Sequence, residues 1–396
     1  MQPLIEFQES LLRPVSNKFR RYLQSKIRWG ERMIGIKGPR GAGKTTILLQ
    51  HLKFDLVNRD LALYVTADHH WFYSHSLYET ASDWHKSGGT LLMIDEVHKY
   101  PGWSTELKNI YDGFPEMQIV FSASSALDIF KGEADLSRRV ISYLLPGMSF
   151  REYIELQEGV AIEPISFDRL TSQHLEMSRL IVDRLHPLPL FRRYLQIGYL
   201  PFILEGEDSY PLKLDQIINT VLDTDLAYTV GYDSGTAFRL KKLLGVVAEA
   251  VPFKPNISAL ARKLDLSRDS VYLYLALLQK ARLINMLHTE QKGTASLQKP
   301  EKLFLENSNL AFALSPMPNV GNVRETFLLN QLINAGLAVT APGSGDFQVG
   351  NLVLEAGGKN KSSDQIKHFE NHLVAADNIE HGSPGKAPLW LFGFLY

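Results

Sequence analysis

One short run, Gly38-Pro39-Arg40-Gly41-Ala42-Gly43-Lys44-Thr45, constrains the fold of this chain more than any other feature. It fits G-x-x-x-x-G-K-[ST] and lies between an apolar stretch, Met33 to Lys37, and Thr45-Thr46-Ile47-Leu48-Leu49, which carries helix-forming residues. A strand, a glycine-rich turn and a helix in that order let backbone amides turn inward around phosphate oxygens at a helix N-terminus. Gly38, Gly41 and Gly43 shape the turn, and Lys44 places a point charge between the outer phosphates. The Thr45 hydroxyl is the candidate magnesium ligand, with Thr46 beside it among the nucleotide-binding residues. ATP together with Mg2+ is therefore the expected ligand.

Further continuous apolar runs, Leu61 to Thr66, Thr90 to Ile94 and Gln118 to Ser122, read as strands buried on both faces. The segments between them have room for helices, so the expected fold is α/β, a parallel sheet flanked by helices. Thr90 to Ile94 delivers Asp95 and Glu96 to a strand end. Such a pair is either a solvated strand end or a division of labour. In the second case Asp95 serves magnesium, and Glu96 orients or deprotonates the attacking water. Ser122-Ala123-Ser124-Ser125 ends the next strand, where Ser124 is either a γ-phosphate sensor or an ordinary turn former. Arg138 and Arg139, in Asp135-Leu136-Ser137-Arg138-Arg139, either reach a γ-phosphate, in their own subunit or a neighbour, or sit on a helix surface bonded to acids. The histidines His69, His70 and His98 show no carboxylate spacing that makes a metal site.

At 396 residues the chain exceeds a usual single core, and four divisions are expected. These are a P-loop ATPase domain over 1–150, a helical region over 151–237, a winged-helix domain over 238–300 and a small α/β domain over 301–396. With 42 basic against 43 acidic side chains, whole-chain polyelectrolyte binding to nucleic acid is excluded, and any such contact must be local. The absence of cysteine excludes disulfides, thiolate metal sites and a cysteine nucleophile. No apolar run approaches membrane-spanning length and the N-terminus lacks a signal pattern, so the expectation is a cytoplasmic protein with no membrane partner.

Helical stretches are expected at Leu175 to Leu185, at Leu214 to Leu226, and from Phe238 to near Pro252. Ile257 to Leu264, then Asp265-Leu266-Ser267 and a Ser267-capped helix to about Ala281, has helix-turn-helix spacing and looks like a winged helix. In a DNA-binding version Arg268, Ser270 and Tyr272 face the groove and Arg262 and Lys263 the phosphates; in the other version the module is a lid packing on the nucleotide domain. Beyond it lie a helix from Glu325 to Ala335, a strand-like Gly345 to Leu354, and a final apolar Leu389 to Tyr396.

Taken together these residues resemble a bacterial family of AAA-type P-loop ATPases, in which the ATPase is followed by a helical region, a winged helix and a C-terminal domain of unknown function. The carriers are Gly38 to Thr46, Leu92-Met93-Ile94-Asp95-Glu96-Val97-His98-Lys99-Tyr100, Phe121 to Ser125, Asp135 to Arg139, and Gly147-Met148-Ser149-Phe150-Arg151-Glu152-Tyr153. The resemblance implies catalytic roles for Lys44, Asp95 and Glu96, a metal role for Thr45, and Ser124 or Arg139 as γ-phosphate sensors. In the last domain the order Glu325, Asp346, Glu355, Lys359, Lys361, Gln365, with Gln365 opening a helix, resembles the restriction-endonuclease-like fold. That fold's acidic pair binds magnesium and its lysine activates water, which makes Asp346, Glu355 and Lys359 a second candidate site. Its Glu-x-Lys pattern would put lysine where Gly357 stands, so nucleic-acid contact or packing is expected rather than efficient cutting. Three functions follow: an ATPase whose nucleotide state repositions C-terminal domains on a nucleic-acid or protein partner, an ATP-gated nuclease, or a slow regulatory switch.

Overall fold

The computed structural model describes residues 1–124, 136, 138–250, 254–290, 299–315 and 317–396. They form two compact units, Met1–Gly147 and Met148–Tyr396. In the first, β1 (Met33–Gly38), β2 (Ala62–Thr66), β3 (Leu91–Asp95), β4 (Gln118–Ser124) and β5 (Ile141–Leu144) make one parallel sheet in the order β2-β3-β4-β1-β5. Successive side chains alternate between its faces. Leu63, Val65, Leu92, Ile94, Ile119 and Phe121 pack on one side with Leu77, Ala81 and Trp84 of α3 (Leu77–Lys86) and Leu107 and Ile110 of α4 (Trp103–Gly113). Ile34, Ile36, Tyr64, Met93 and Val120 pack on the other with Ile47 and Leu48 of α2 (Lys44–Gln50). Burial on both faces is what the unbroken apolar runs required.

Two features of this sheet escape a reading of apolar runs. β5 alternates half-buried Ile141 and Tyr143 with exposed Ser142 and Leu144, so it presents no continuous apolar run, yet it pairs with β1 along the sheet edge. At the opposite edge, β2 offers an unpaired amide row, and Gln8 of α1 (Gln2–Leu12) covers it by accepting the Tyr64 N–H at 2.6 Å.

The second unit begins with α5 (Phe150–Glu158), whose start is fixed by a capping box between Ser149 and Glu152. It continues through α6 (Phe167–Val182), α7 (Pro187–Ile197), α8 (Tyr210–Thr220), α9 (Leu226–Val230) and α10 (Ser234–Ala250). Next come α11 (Ile257–Leu264), α12 (Arg268–Lys280), and β6 (Ile284–Leu287) antiparallel to β7 (Lys302–Leu305). As the sequence implied, Ser267 caps α12, accepting the Ser270 N–H at 3.0 Å. α13 (Ser308–Leu314) and α14 (Val320–Asn334) precede a second sheet of β8 (Val339–Thr340), β9 (Phe347–Val349), β10 (Leu352–Gly357), β11 (His372–Ala376) and β12 (Lys386–Pro388), ordered β12-β11-β10-β9-β8.

Several expected boundaries move, each for a local reason. α6 starts at Phe167, well before Leu175, because Ser166 caps it, and α14 starts at Val320 because Asn319 accepts the amides of Gly321 and Asn322. α8 absorbs Pro211 in its first turn, where a missing N–H costs nothing. The expected end near Pro252 lies outside the described residues, as do Ser125, Asp135 and Ser137. Gly345 to Leu354 is not one strand: the chain reverses at Gly350, whose φ of 59° suits glycine, and β9 and β10 pair as a hairpin. No helix opens at Gln365; residues 364–368 form turns.

A buried polar network ties the second unit together. Arg282 lies 2.9 Å from the Glu306 carboxylate, which also accepts the Tyr199 hydroxyl at 2.9 Å and the Asn330 amide at 3.1 Å. Asn334 donates to the hydroxyls of Tyr199 and Tyr396, each at 3.2 Å. Among the described residues no helix is long and apolar enough to cross a membrane.

Candidate functional site

The parallel register brings the carboxyl ends of three strands level: Gly38 of β1 lies opposite Ser124 of β4, and Ile94 of β3 opposite Phe121. Ligands of open α/β sheets bind at such strand ends. The loop after β1 turns on Gly41 and Gly43, with φ of 82° and 97°, and Gly43 is the N-cap directly before α2. These left-handed conformations are why glycine stands there. A side chain at Gly38 would run into the carbonyl oxygen of Leu145. From behind, buried Arg21 clamps the loop, donating to the carbonyl oxygens of Ala42, of Pro146 at 2.8 Å and of Gly147 at 3.0 Å. No motif marked Arg21; its only signal is a basic residue ahead of the first strand.

Lys44 is buried, its ammonium donating to the carbonyl oxygens of Gly38 at 3.1 Å and Pro39 at 3.3 Å, and it stands 3.6 Å from Glu96. Asp95, also buried, collects three hydroxyls. Thr45 donates to its Oδ2 at 2.6 Å, Tyr64 to the same oxygen at 2.8 Å, and Ser122 to Oδ1. Burial and the Asp95 charge push the Tyr64 hydroxyl far above its ordinary range, so it remains a donor. Glu96 takes a left-handed backbone (φ 51°), an arrangement that costs on the order of 1 kcal/mol or more in a non-glycine residue. Its N–H donates to the Ser122 hydroxyl at 2.9 Å, which holds the turn.

Hard oxygen donors, a hydroxyl and a carboxylate 2.6 Å apart beside a phosphate-type loop, are the chemistry magnesium takes, with phosphate oxygens and water supplying the rest of its shell. No three His, Cys, Asp or Glu side chains converge into a metal cage among the described residues. Thr46 and Gly41 are exposed at the loop.

The structure separates Arg139 from the loop and brings His98 to it. Arg139 is not brought to the loop in its own chain. It precedes β5, level with the start of β1 at the end of the strands opposite the loop, and grips Asp112 of α4 through two bonds of 2.9 and 2.8 Å. Arg138 is exposed. Conversely, His98, discounted as a metal ligand, belongs to the site. It is buried, its Nδ1 accepts the Ser124 N–H at 3.4 Å, and its Nε2 lies 3.4 Å from a Glu96 oxygen, without hydrogen-bond geometry. Burial, with the charges of Lys44 and Lys99, pushes its pKa down to about 3. The signal that could have found it was its place in the short turn after Asp95-Glu96.

Residues 30–154 match the AAA domain family. The first unit has a P-loop, AAA-like α/β fold. Residues 188–321 match a domain of unknown function, DUF8612. An uncharacterized protein of Methanocaldococcus jannaschii is 24% identical over 284 residues, 68% of this chain and 60% of the relative. The chain thus spans about 60% of the length of that curated relative. Among solved structures, the Aeropyrum pernix ORC1 protein in complex with DNA is 12% identical, covering 80% of this chain and 91% of that one at a TM-score of 0.31. AMPPCP-bound DnaA from Aquifex aeolicus is 14% identical, covering 70% and 87% at 0.24. Likenesses that low carry no functional argument; nucleotide binding is suggested by the AAA domain and its loop.

A second cluster lies in the C-terminal sheet. Asp346 sits across the hairpin from Glu355, its Oδ2 accepting the Ala356 N–H at 2.9 Å. Lys302 bridges Asp346 at 3.2 Å and Glu325 of α14 at 3.7 Å. Burial and the Asp346 charge push Glu325 up to about 7, against the pull of Lys302. Glu355 is buried, with Oε2 unpartnered and Oε1 2.5 Å from the ammonium of Lys361. Lys359 is exposed with no ion pair among the described residues, whereas the Lys361 stem lies where a side chain on Gly357 would be.

Proposed function

We propose that this protein binds ATP with magnesium and hydrolyses it, and that nucleotide state repositions the second unit on a partner. The observation that supports this most directly is the convergence of Thr45, Tyr64 and Ser122 on Asp95, with Lys44 and Glu96 facing each other at 3.6 Å beside it. Lys44 neutralises the outer phosphates, Thr45 and Asp95 hold magnesium, and Glu96 takes or orients the proton of the attacking water. Bound there, magnesium would supply charge neutralisation to the outer phosphates. Ser124, buried at the end of β4, is the γ-phosphate sensor of this reading, and Arg139 contributes only if offered to a neighbouring copy.

Lys44→Ala keeps the loop amides and removes the cation facing the outer phosphates, so calorimetry should show binding of magnesium ATP sharply weakened. Unchanged affinity would refute the assignment. Turnover measured with and without DNA and RNA tests the partner. Exposed Arg262, Lys263, Arg268 and Tyr272 on α11 and α12 support a local nucleic-acid contact, diluted by exposed Asp265 and Asp269.

An ATP-gated nuclease is the second reading, favoured by the substitution of Lys361 for the lysine missing at Gly357 and by the unpartnered oxygen of Glu355. Magnesium- or manganese-dependent cleavage of DNA or RNA, with and without ATP, should then vanish in Glu355→Ala and Lys361→Ala and persist in Lys359→Ala. Equal loss in Lys359→Ala would return the role to the exposed lysine.

A further inference from the structure

His98 is unexplained by the loop chemistry, yet it joins two of its parts. It stands in the short helical turn Val97–Lys99, directly after the left-handed Glu96, where its ring is buried against the ends of β3 and β4. The Ser124 N–H, at 3.4 Å, points at Nδ1, so that nitrogen must present a lone pair. A neutral ring whose Nδ1 accepts carries its proton on Nε2, and Nε2 is the atom 3.4 Å from the Glu96 carboxylate. The Glu96 carboxylate therefore has two cationic or donor neighbours: Lys44 at 3.6 Å on one oxygen and His98 on the other. Of the two, Lys44 is the one that phosphate oxygens compete for, because its ammonium is the cation of the loop. His98 has no such competitor, and its anchor is the main chain of the strand that ends in Ser124.

We propose that His98 is a positioning residue that steers the Glu96 carboxylate through its Nε2–H while its Nδ1 is anchored on the Ser124 amide, so that the end of β4 sets the aim of the group acting on water. This rests on the hydrolytic reading above and adds to it a residue that touches no phosphate. At 3.4 Å Nε2 and the Glu96 carboxylate are close but not in hydrogen-bond geometry, and catalytic hydrogen bonds often align and tighten only with substrate in place. Misplacement by about an ångström costs on the order of a hundredfold in rate, which sets the scale of what steering is worth.

In His98→Ala, magnesium ATP should bind with unaltered affinity while kcat falls by about ten- to a hundredfold. His98→Gln, whose amide nitrogen reaches the place of Nε2, should recover most of that loss, and His98→Asn, which reaches only the place of Nδ1, should not. In a Glu96→Gln background, His98→Ala should cost nothing further. A purely structural histidine would instead lower kcat equally in both backgrounds and make no distinction between Gln and Asn, and either result overturns the proposal. The ring itself gives a readout independent of turnover: 15N spectra of the full chain should show a neutral imidazole protonated at Nε2. Protonation at Nδ1 overturns the proposal even if the protein hydrolyses ATP. Absence of any turnover with the Nε2–H form intact overturns the hydrolytic reading on which it rests.

Discussion

Glu96→Gln is expected to leave binding of ATP and magnesium intact and to lower turnover by at least about tenfold, the low side of what a positioned general base contributes. The substitution keeps the shape of the side chain and the left-handed turn that aims it, since that turn is held by the Glu96 N–H on Ser122 rather than by the carboxylate. Asp95 and its three hydroxyl donors are untouched, so the metal-side geometry survives. Lost is the proton acceptor. Because Lys44 also loses its ion-pair partner at 3.6 Å, the variant should bind nucleotide no more weakly than the parent. Calorimetry for affinity and a phosphate-release assay for turnover separate the two effects. Hydrolysis at the parental rate would move the catalytic role to another group.

The parts of this site that could be read in the sequence are those fixed by neighbours along the chain. Gly41, Gly43, Lys44 and Thr45 follow a strand directly, and Asp95-Glu96 end one, so a strand reading delivers them to the carboxyl ends of the strands. Tyr64 and Arg21 join through pairing register and through the path of the chain behind the loop, and neither leaves a local pattern, whereas His98 had only its place in the turn after Asp95-Glu96 to mark it. Arg139 was left open between the loop and a bond to acids for the converse reason: its distance along the sequence from β4 says nothing of which end of the strands the chain has returned to before β5. In the second unit, α11, the Ser267 cap and α12 were legible because cap and periodicity agree. The β9–β10 reversal was not, since a single glycine in an apolar run is also compatible with one strand. Lys361 was hidden because a side chain several residues past a strand end can fold back over a glycine, and spacing does not encode that return.

Glu306→Ala is expected to cost the second unit about 3–5 kcal/mol, the penalty for leaving a buried charge without its partner. Arg282 lies 2.9 Å from the Glu306 carboxylate, and that carboxylate is almost wholly enclosed. Removing it also deprives the Tyr199 hydroxyl of its acceptor and Asn330 of one of three. Urea unfolding should show the midpoint falling without a change of slope. Replacing both charges, as Arg282→Met with Glu306→Leu, should recover most of the loss, because an apolar pair of similar volume avoids the desolvation cost. Recovery should stop short of the parent while the Tyr199 donor lacks a partner. The network draws on Tyr199 beyond α7, Arg282 beyond α12, Glu306 beyond β7 and Asn330 and Asn334 of α14, so it joins segments far apart in sequence. If these segments respond to nucleotide as one body rather than as separate modules, hydrogen exchange in Glu306→Ala should speed up in α7 and α14 together. Protection lost in α14 alone, with α7 unchanged, would mean that the segments open independently and that any nucleotide-driven movement must be sought within the second unit.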